Sequence, residues 1–163
     1  MNIFFIADLH FDDERILRYE NRPFEHVQQM NETIIRNWNH TVMKKDEVFI
    51  LGDIGNESYI KQLNGKKYLI KGNHDTKMNW EYRKCGFEEV YDYPIIYENF
   101  WILSHEPMYI NQNMPYANLF GHVHQSPQYT TYSKQHYCVT VERIEYTPVV
   151  FESIKEKIQS NIK

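Results

Sequence analysis

Acidic, amide and imidazole side chains recur in five tight clusters: Asp8-Leu9-His10, Gly52-Asp53, Gly72-Asn73-His74-Asp75, Ser104-His105 and Gly121-His122-Val123-His124. In the third cluster an amide oxygen suited to a hard cation stands beside an imidazole able to move a proton and a carboxylate able to orient it. Asp8 and His10 are two apart, so on an extended segment they project to one side. Each cluster alone has a plainer explanation: an Asx turn with a solvated histidine for the first, a Gly-Asn turn and an Asp helix cap for the third. Five of the eight histidines, however, fall within these clusters. Oxygen and nitrogen donors without thiolates suit Mn²⁺, Fe, Ni²⁺, Co²⁺ or Zn²⁺. Seven candidates, Asp8, His10, Asp53, Asn73, His105, His122 and His124, are too many for one ion and fill two sites if one carboxylate is shared. Cations ~3.5–4 Å apart can activate water and clamp an in-line displacement.

The elements that must position these residues are short and apolar. Ile3 to Ala7, Val48 to Leu51 and Tyr68 to Ile70 read as strands buried on both faces, and each runs directly into a polar cluster. Helical spacing follows the first strand, at 12–19 and again from Glu25 to Val42, where Val27, Met30, Ile34, Ile35, Trp38 and Val42 form the apolar stripe. A short helix capped by Asn56 follows the second strand, and a helix from Thr76 to about Cys85 follows the third. Strand, polar turn and helix repeated three times predict parallel strands with crossover helices, whose ligand site lies outside the strands' carboxyl ends. Gly72 is expected to let the chain turn tightly there. Further strands are expected at 88–91, 95–97, 100–103, 118–120, 137–141 and 149–151, with a hairpin at Glu98-Asn99 and an amphipathic helix from about Glu152 to Ile162.

One core suits 163 residues, and no linker, repeat or low-complexity tract divides them into more than one domain. A net charge of −4 argues against a broad basic face for duplex nucleic acid, leaving room for a local basic pocket. Arg15, Arg18 and Arg22 lie close together, so one could meet a substrate phosphate while the others are solvated. Cys85 and Cys138 lack the pairing of a zinc knuckle or the density of a disulfide scaffold and are expected to be free thiols. There is neither a basic leader nor an apolar run of about twenty residues, so the expected location is the cytoplasm, without membrane contact. Oligomeric state is not readable from these features.

In residue types and order, the five clusters at residues 8 to 124 resemble the motif blocks of the calcineurin-like metallophosphoesterases. Arg22-Pro23-Phe24 and Asn37-Trp38-Asn39 are similar to stretches in small bacterial and phage-encoded members. The resemblance implies an α/β fold, a four-layer αββα sandwich of two mixed β-sheets face to face flanked by helices. It implies that Asp8, His10, Asp53 and His124 hold one divalent transition-metal ion, manganese being the first expectation. Asp53, Asn73, His105 and His122 would hold a second, with Asp53 shared. By the same resemblance His74 is the catalytic imidazole near the leaving group and Asp75 its partner. The implied reaction is in-line attack on a phosphate ester, a phosphodiester by preference, by a hydroxide bridging the two ions.

Departures from the family pattern are small. Gly52-Asp53-Ile54-Gly55 lacks a further acid or amide shortly after the motif, Ser104 replaces a glycine, and the chain has no room for a cap domain. An open site suits small or flexible diesters. A nuclease for single-stranded ends is the second expectation: the acidic balance counts against it, while the 13 tyrosines and 3 tryptophans could stack bases. Most of the aromatic residues are expected in the core, with Tyr109, Tyr116 and Tyr129 the better candidates for substrate contact. A non-catalytic interaction module is a third reading, opposed by retention of every candidate ligand and of His74.

Overall fold

The computed structural model describes residues 1–111, 113–129 and 133–162, with the side chains of the last helix described to residue 158. Strand β1 (Ile3–Ile6) pairs in parallel with β2 (Glu47–Ile50), β2 with β3 (Lys66–Ile70), and β3 with β4 (Phe87–Tyr91). Between β1 and β2 run helices α1 (Glu14–Tyr19) and α2 (Val27–Thr41), and between β3 and β4 runs α3 (Asn79–Lys84). A 3-10 turn, Glu57–Gln62, joins β2 to β3, with Asn56 as its cap. These are the crossovers that the threefold strand, turn and helix pattern predicts.

The second sheet comprises β5 (Ile95–Tyr97), β6 (Trp101–Leu103), β7 (Ala117–Phe120) and β8 (His136–Cys138) in that order. β5 and β6 are antiparallel, whereas β6, β7 and β8 are parallel. The expected hairpin is present: Glu98 and Asn99 both have positive φ, 49° and 56°, and Phe100 N–H donates to the Tyr97 carbonyl at 3.2 Å. Backbone of that hand matches the twist of the two strands. β9 (Val149–Val150) returns to the first sheet, antiparallel to β1, and leads into α4 (Phe151–Ile162). Both sheets are therefore mixed, as expected.

Strand alternation separates two cores. Phe4, Ile6, Val48, Ile50 and Leu69 meet the α1/α2 stripe, including Ile16, Met30, Ile34 and Trp38. Phe5, Ala7, Phe49, Leu51 and Ile70 face the second sheet through Trp101, Leu103, Ala117 and Leu119. Trp38 is fully buried, and its indole N–H is satisfied by the Asn64 carbonyl at 2.9 Å. The apolar residues of α4, Phe151, Ile154 and Ile158, join the inter-sheet core. Near β7 the second sheet is tied to the connection after β6: buried Asn118 accepts from Met108 N–H at 2.8 Å and donates to the Ser104 hydroxyl at 2.9 Å. No helix among the described residues is long and apolar enough to cross a membrane.

α3 begins at Asn79 rather than near Thr76, because Asp75 is engaged elsewhere and does not cap it. Cys85 and Cys138 are free and half-buried.

Candidate metal centre

The loops that leave the strands are stitched to one another by backbone hydrogen bonds. Asp8 N–H donates to the Gly52 carbonyl at 3.0 Å, His10 N–H to Asp53 O at 3.0 Å, and Gly121 N–H to His105 O at 2.8 Å. These loops run in unusual conformations. Asp8, His10, Asp53, His122 and His124 have φ of 61°, 49°, 55°, 68° and 44°. Non-glycine residues seldom adopt this left-handed region, and such strain clusters where packing over-determines the backbone to aim side chains.

Each of the two central carboxylates divides its oxygens between scaffold and site. Asp8 Oδ2 accepts His122 N–H at 2.9 Å, and Asp53 Oδ1 accepts His74 N–H at 2.9 Å. The other oxygens face imidazoles. Asp53 Oδ2 lies 3.6 Å from His10 Nε2 and 3.4 Å from His105 Nε2, while Asp8 Oδ1 lies 3.7 Å from His124 Nε2. Asp8 Oδ1 and His10 Nε2 are buried without a hydrogen-bond partner among the described residues. An orphaned buried carboxylate oxygen is costly, because nothing replaces the water it has lost.

Ligand atoms of Asp8, His10 and His124 fall within 4.8 Å of one another, and so do those of Asp8, Asp53 and His105. Asn73 and His122 extend the second group: Asn73 Oδ1 is 3.0 Å from His105 Nε2 and 3.1 Å from His122 Nδ1. Thus the seven candidates come together, with Asp53 linking His10 to His105 and Asp8 reaching both groups. Oxygen and imidazole donors of this kind fit divalent transition metals, and a cation among them would satisfy the orphaned atoms. His105 and His124 are held from behind, His105 Nδ1 by the Leu51 carbonyl at 2.8 Å and His124 Nδ1 by Glu142 Oε1 at 2.9 Å. Such partners fix which ring nitrogen faces a metal.

Charge is unevenly distributed. Burial pushes the Asp8 carboxyl up to about 7 and the His10 imidazole down to about 4. For Asp53 burial acts upward, but the His105 hydrogen bond and charge, with the His74 N–H, outweigh it and hold the carboxyl at about 2. Burial likewise acts to lower His105, yet Asp53, Asp8 and the Leu51 carbonyl raise it to about 9.

Glycines create the room. A Cβ on Gly72 would stand 2.2 Å from Asp53 Oδ1, and one on Gly121 would stand 2.5 Å from Asp8 Oδ2. Gly72 opens the tight turn expected from the sequence, with Asp75 N–H donating to its carbonyl at 3.1 Å, but without a left-handed φ, so what its missing side chain provides is space for Asp53.

His74 is exposed, edge-on to the His10 ring at 5.5 Å between centroids. It lines an open cavity of about 620 Å³ with His10, Asp12, Asp13, Arg15 and Asn56. Asp75, expected to orient His74, instead gives both oxygens to backbone: Oδ2 accepts from Asp53 N–H at 2.7 Å and Gly72 N–H at 2.9 Å, and Oδ1 from Ile54 N–H at 3.1 Å. It is 4% exposed. The carboxylate thereby ties the loop after β2 to the loop after β3.

Of the three clustered arginines, Arg15 is exposed and paired with Asp13, and Arg18 is exposed. Arg22 is neither solvated nor open to substrate. It is buried, donating to Asp8 O at 2.7 Å and Leu9 O at 3.1 Å and pairing with Glu142 at 2.7 Å. Glu142 and Arg143, which the sequence reading did not single out, stand behind the last motif: Arg143 donates to the carbonyls of His124, Ser126 and Tyr129. Tyr109 is exposed, and Tyr116 and Tyr129 are half-buried.

Comparison with known proteins identifies the family. The family model for calcineurin-like phosphoesterases matches residues 1–153. An uncharacterized protein of Methanocaldococcus jannaschii is 32% identical over 96% of this chain and 91% of its own length. A Mycobacterium phage L5 protein, the product of its gene 66, is 35% identical over 45% of this chain and 40% of its own. Among solved structures, a protein of unknown function from Aquifex aeolicus superposes with a TM-score of 0.76 at 24% identity, covering 95% of this chain and 98% of that one. A nuclease from Pseudomonas putida shares the fold at a TM-score of 0.50 and 22% identity, over 75% and 61% of the respective chains. With a family model spanning nearly its whole length and two mixed sheets delivering the motif residues to one point, the chain belongs to the calcineurin-like phosphoesterase family.

Proposed function

We propose that the protein hydrolyses phosphodiesters at a centre for two divalent cations, with His74 assisting the leaving group. The observation that carries this reading is the pair of spare carboxylate oxygens, Asp8 Oδ1 and Asp53 Oδ2, aimed at imidazole nitrogens instead of backbone donors. Asp8, His10, Asp53 and His124 would hold one ion; Asp53, Asn73, His105 and His122 would hold the other. Bound divalent cations, with Mn²⁺ the first choice, lower the pKa of water and offset negative charge on phosphoryl oxygens.

The remaining work falls to the chain. His74, anchored by its backbone N–H to Asp53 while its ring stays exposed, would give a proton to the departing alkoxide. Asp75 would keep the loops after β2 and β3 in register. The cavity beside His74 carries Asp12, Asp13 and Glu14 against Arg15, a balance that disfavours an extended polyanion and suits an uncharged leaving group.

A second reading, cleavage of single-stranded nucleic acid ends, is supported by the fold shared with the Pseudomonas putida protein, whose name is nuclease. Exposed Trp80 and Tyr109 offer surfaces for stacking.

A screen of mono- and diesters, cyclic nucleotides and oligonucleotides, run on protein reconstituted with Mn²⁺ and with His74→Ala as the blank, tests both readings. Turnover of small diesters, falling about 10²–10⁴-fold in His74→Ala, is expected. Preferential turnover of oligonucleotides, steeply weakened by salt, would favour the second reading. No hydrolysis with any ester and any of the candidate metals would overturn both.

A further inference from the structure

The strongest feature outside the seven candidate ligands is a buried chain of charge behind one of them. Glu142 lies on the 3-10 turn Val141–Arg143, and its side chain is fully buried. A single oxygen, Oε1, takes both His124 Nδ1 at 2.9 Å and the Arg22 guanidinium at 2.7 Å. The other, Oε2, is buried without a partner among the described residues. Arg22, also fully buried in its side chain, turns its remaining donors onto the carbonyls of Asp8 and Leu9. From the next residue on the turn, Arg143 grips the carbonyls of His124 and Ser126. Val141 N–H donates to Ala7 O at 3.1 Å, so the turn is also fastened to the end of β1.

A buried arginine and glutamate contribute little net stability, since desolvation offsets much of their attraction. Their placement beside a histidine that faces Asp8 calls for another explanation. We propose that Arg22 and Glu142 are positioning residues for the cation held by Asp8, His10 and His124, acting together as one clamp. Glu142 fixes the His124 tautomer so that Nε2 faces the centre, and Arg22 holds both Glu142 and the left-handed Asp8-Leu9-His10 backbone. The planar fork of arginine reaches these separate acceptors from nitrogens spread at fixed angles, whereas lysine directs its three donors from a single point. This inference rests on the metal-centre reading above.

The test is Mn²⁺ binding to the full chain, by calorimetry for affinity and stoichiometry and by electron paramagnetic resonance for coupling between the two ions. Glu142→Gln keeps the shape of the side chain, and Arg22→Lys keeps the charge but not the fork. Each is expected to bind one ion as the wild type does and the other about 10–100-fold more weakly. At concentrations that saturate the wild type, the coupled signal should give way to that of isolated ions. His124→Ala should match this loss and His122→Ala should strike the other ion, so Glu142→Gln with His122→Ala should weaken both. If the wild type takes two ions and both variants, folded by circular dichroism, take two with unchanged affinity, the clamp is packing only and the inference fails. A wild type that binds fewer than two ions overturns the metal-centre reading and the inference with it. A variant that does not fold is replaced by Glu142→Asp, which draws the carboxylate back by one methylene and is held to the same comparison.

Discussion

The Asp75 carboxylate accepts the backbone N–H of Asp53 at 2.7 Å, and through the same oxygen that of Gly72 at 2.9 Å. One side chain therefore locks the loop after β2 to the loop after β3. Asp75→Asn places an amide donor against at least one backbone donor, because the carboxylate's two oxygens serve three N–H groups. A loss of about 1–3 kcal/mol in denaturant unfolding is expected, together with weaker metal binding. A partner acting through the His74 ring would instead lower kcat and leave stability and metal affinity intact.

Gly72→Ala and Gly121→Ala drive a methyl group onto Asp53 Oδ1 and Asp8 Oδ2 respectively. Overpacking of this kind costs about 1–3 kcal/mol, and the displaced carboxylates should lower Mn²⁺ affinity. Calorimetric titration with wild-type affinity in both variants would contradict the geometry.

The pH dependence of the metal-stripped protein has a definite sign. His105 is raised from 6.5 to about 9, so its stabilising contribution is fully present below 6.5 and is lost as pH rises through 9. Asp8, raised to about 7, acts in the same direction up to that pH. In chelator, urea unfolding is expected to show stability falling from pH 7 to 9. A flat or rising profile would contradict the charge distribution described here.

The motif residues were legible because short apolar runs followed by polar clusters mark strand ends, and strand ends converge in a parallel sheet. Their pairing into two groups came from resemblance; the ligand atoms that lie within 4.8 Å of one another are those of Asp8, His10 and His124 and those of Asp8, Asp53 and His105, so the residue common to both is Asp8. Asp75 was assigned to His74 by resemblance and by its place in the same cluster, whereas its carboxylate accepts from the backbone N–H groups of Asp53, Ile54 and Gly72. That same engagement delays α3 to Asn79. The contact between Arg22 and Glu142 had no local signal: it spans 120 positions, and burial of an arginine in a polar stretch has no pattern in sequence. The left-handed backbone at Asp8, His10 and His124 was equally hidden, since no glycine stands at those positions to announce it.

The number of divalent cations bound per chain tests the central claim most directly. After chelation and reconstitution with Mn²⁺, elemental analysis of the wild type should give two ions per chain, and diester turnover should rise with the second. His74→Ala should still bind two while losing most of its turnover. One ion or none in the wild type, or loss of metal from His74→Ala with activity restored by excess Mn²⁺, would contradict the account.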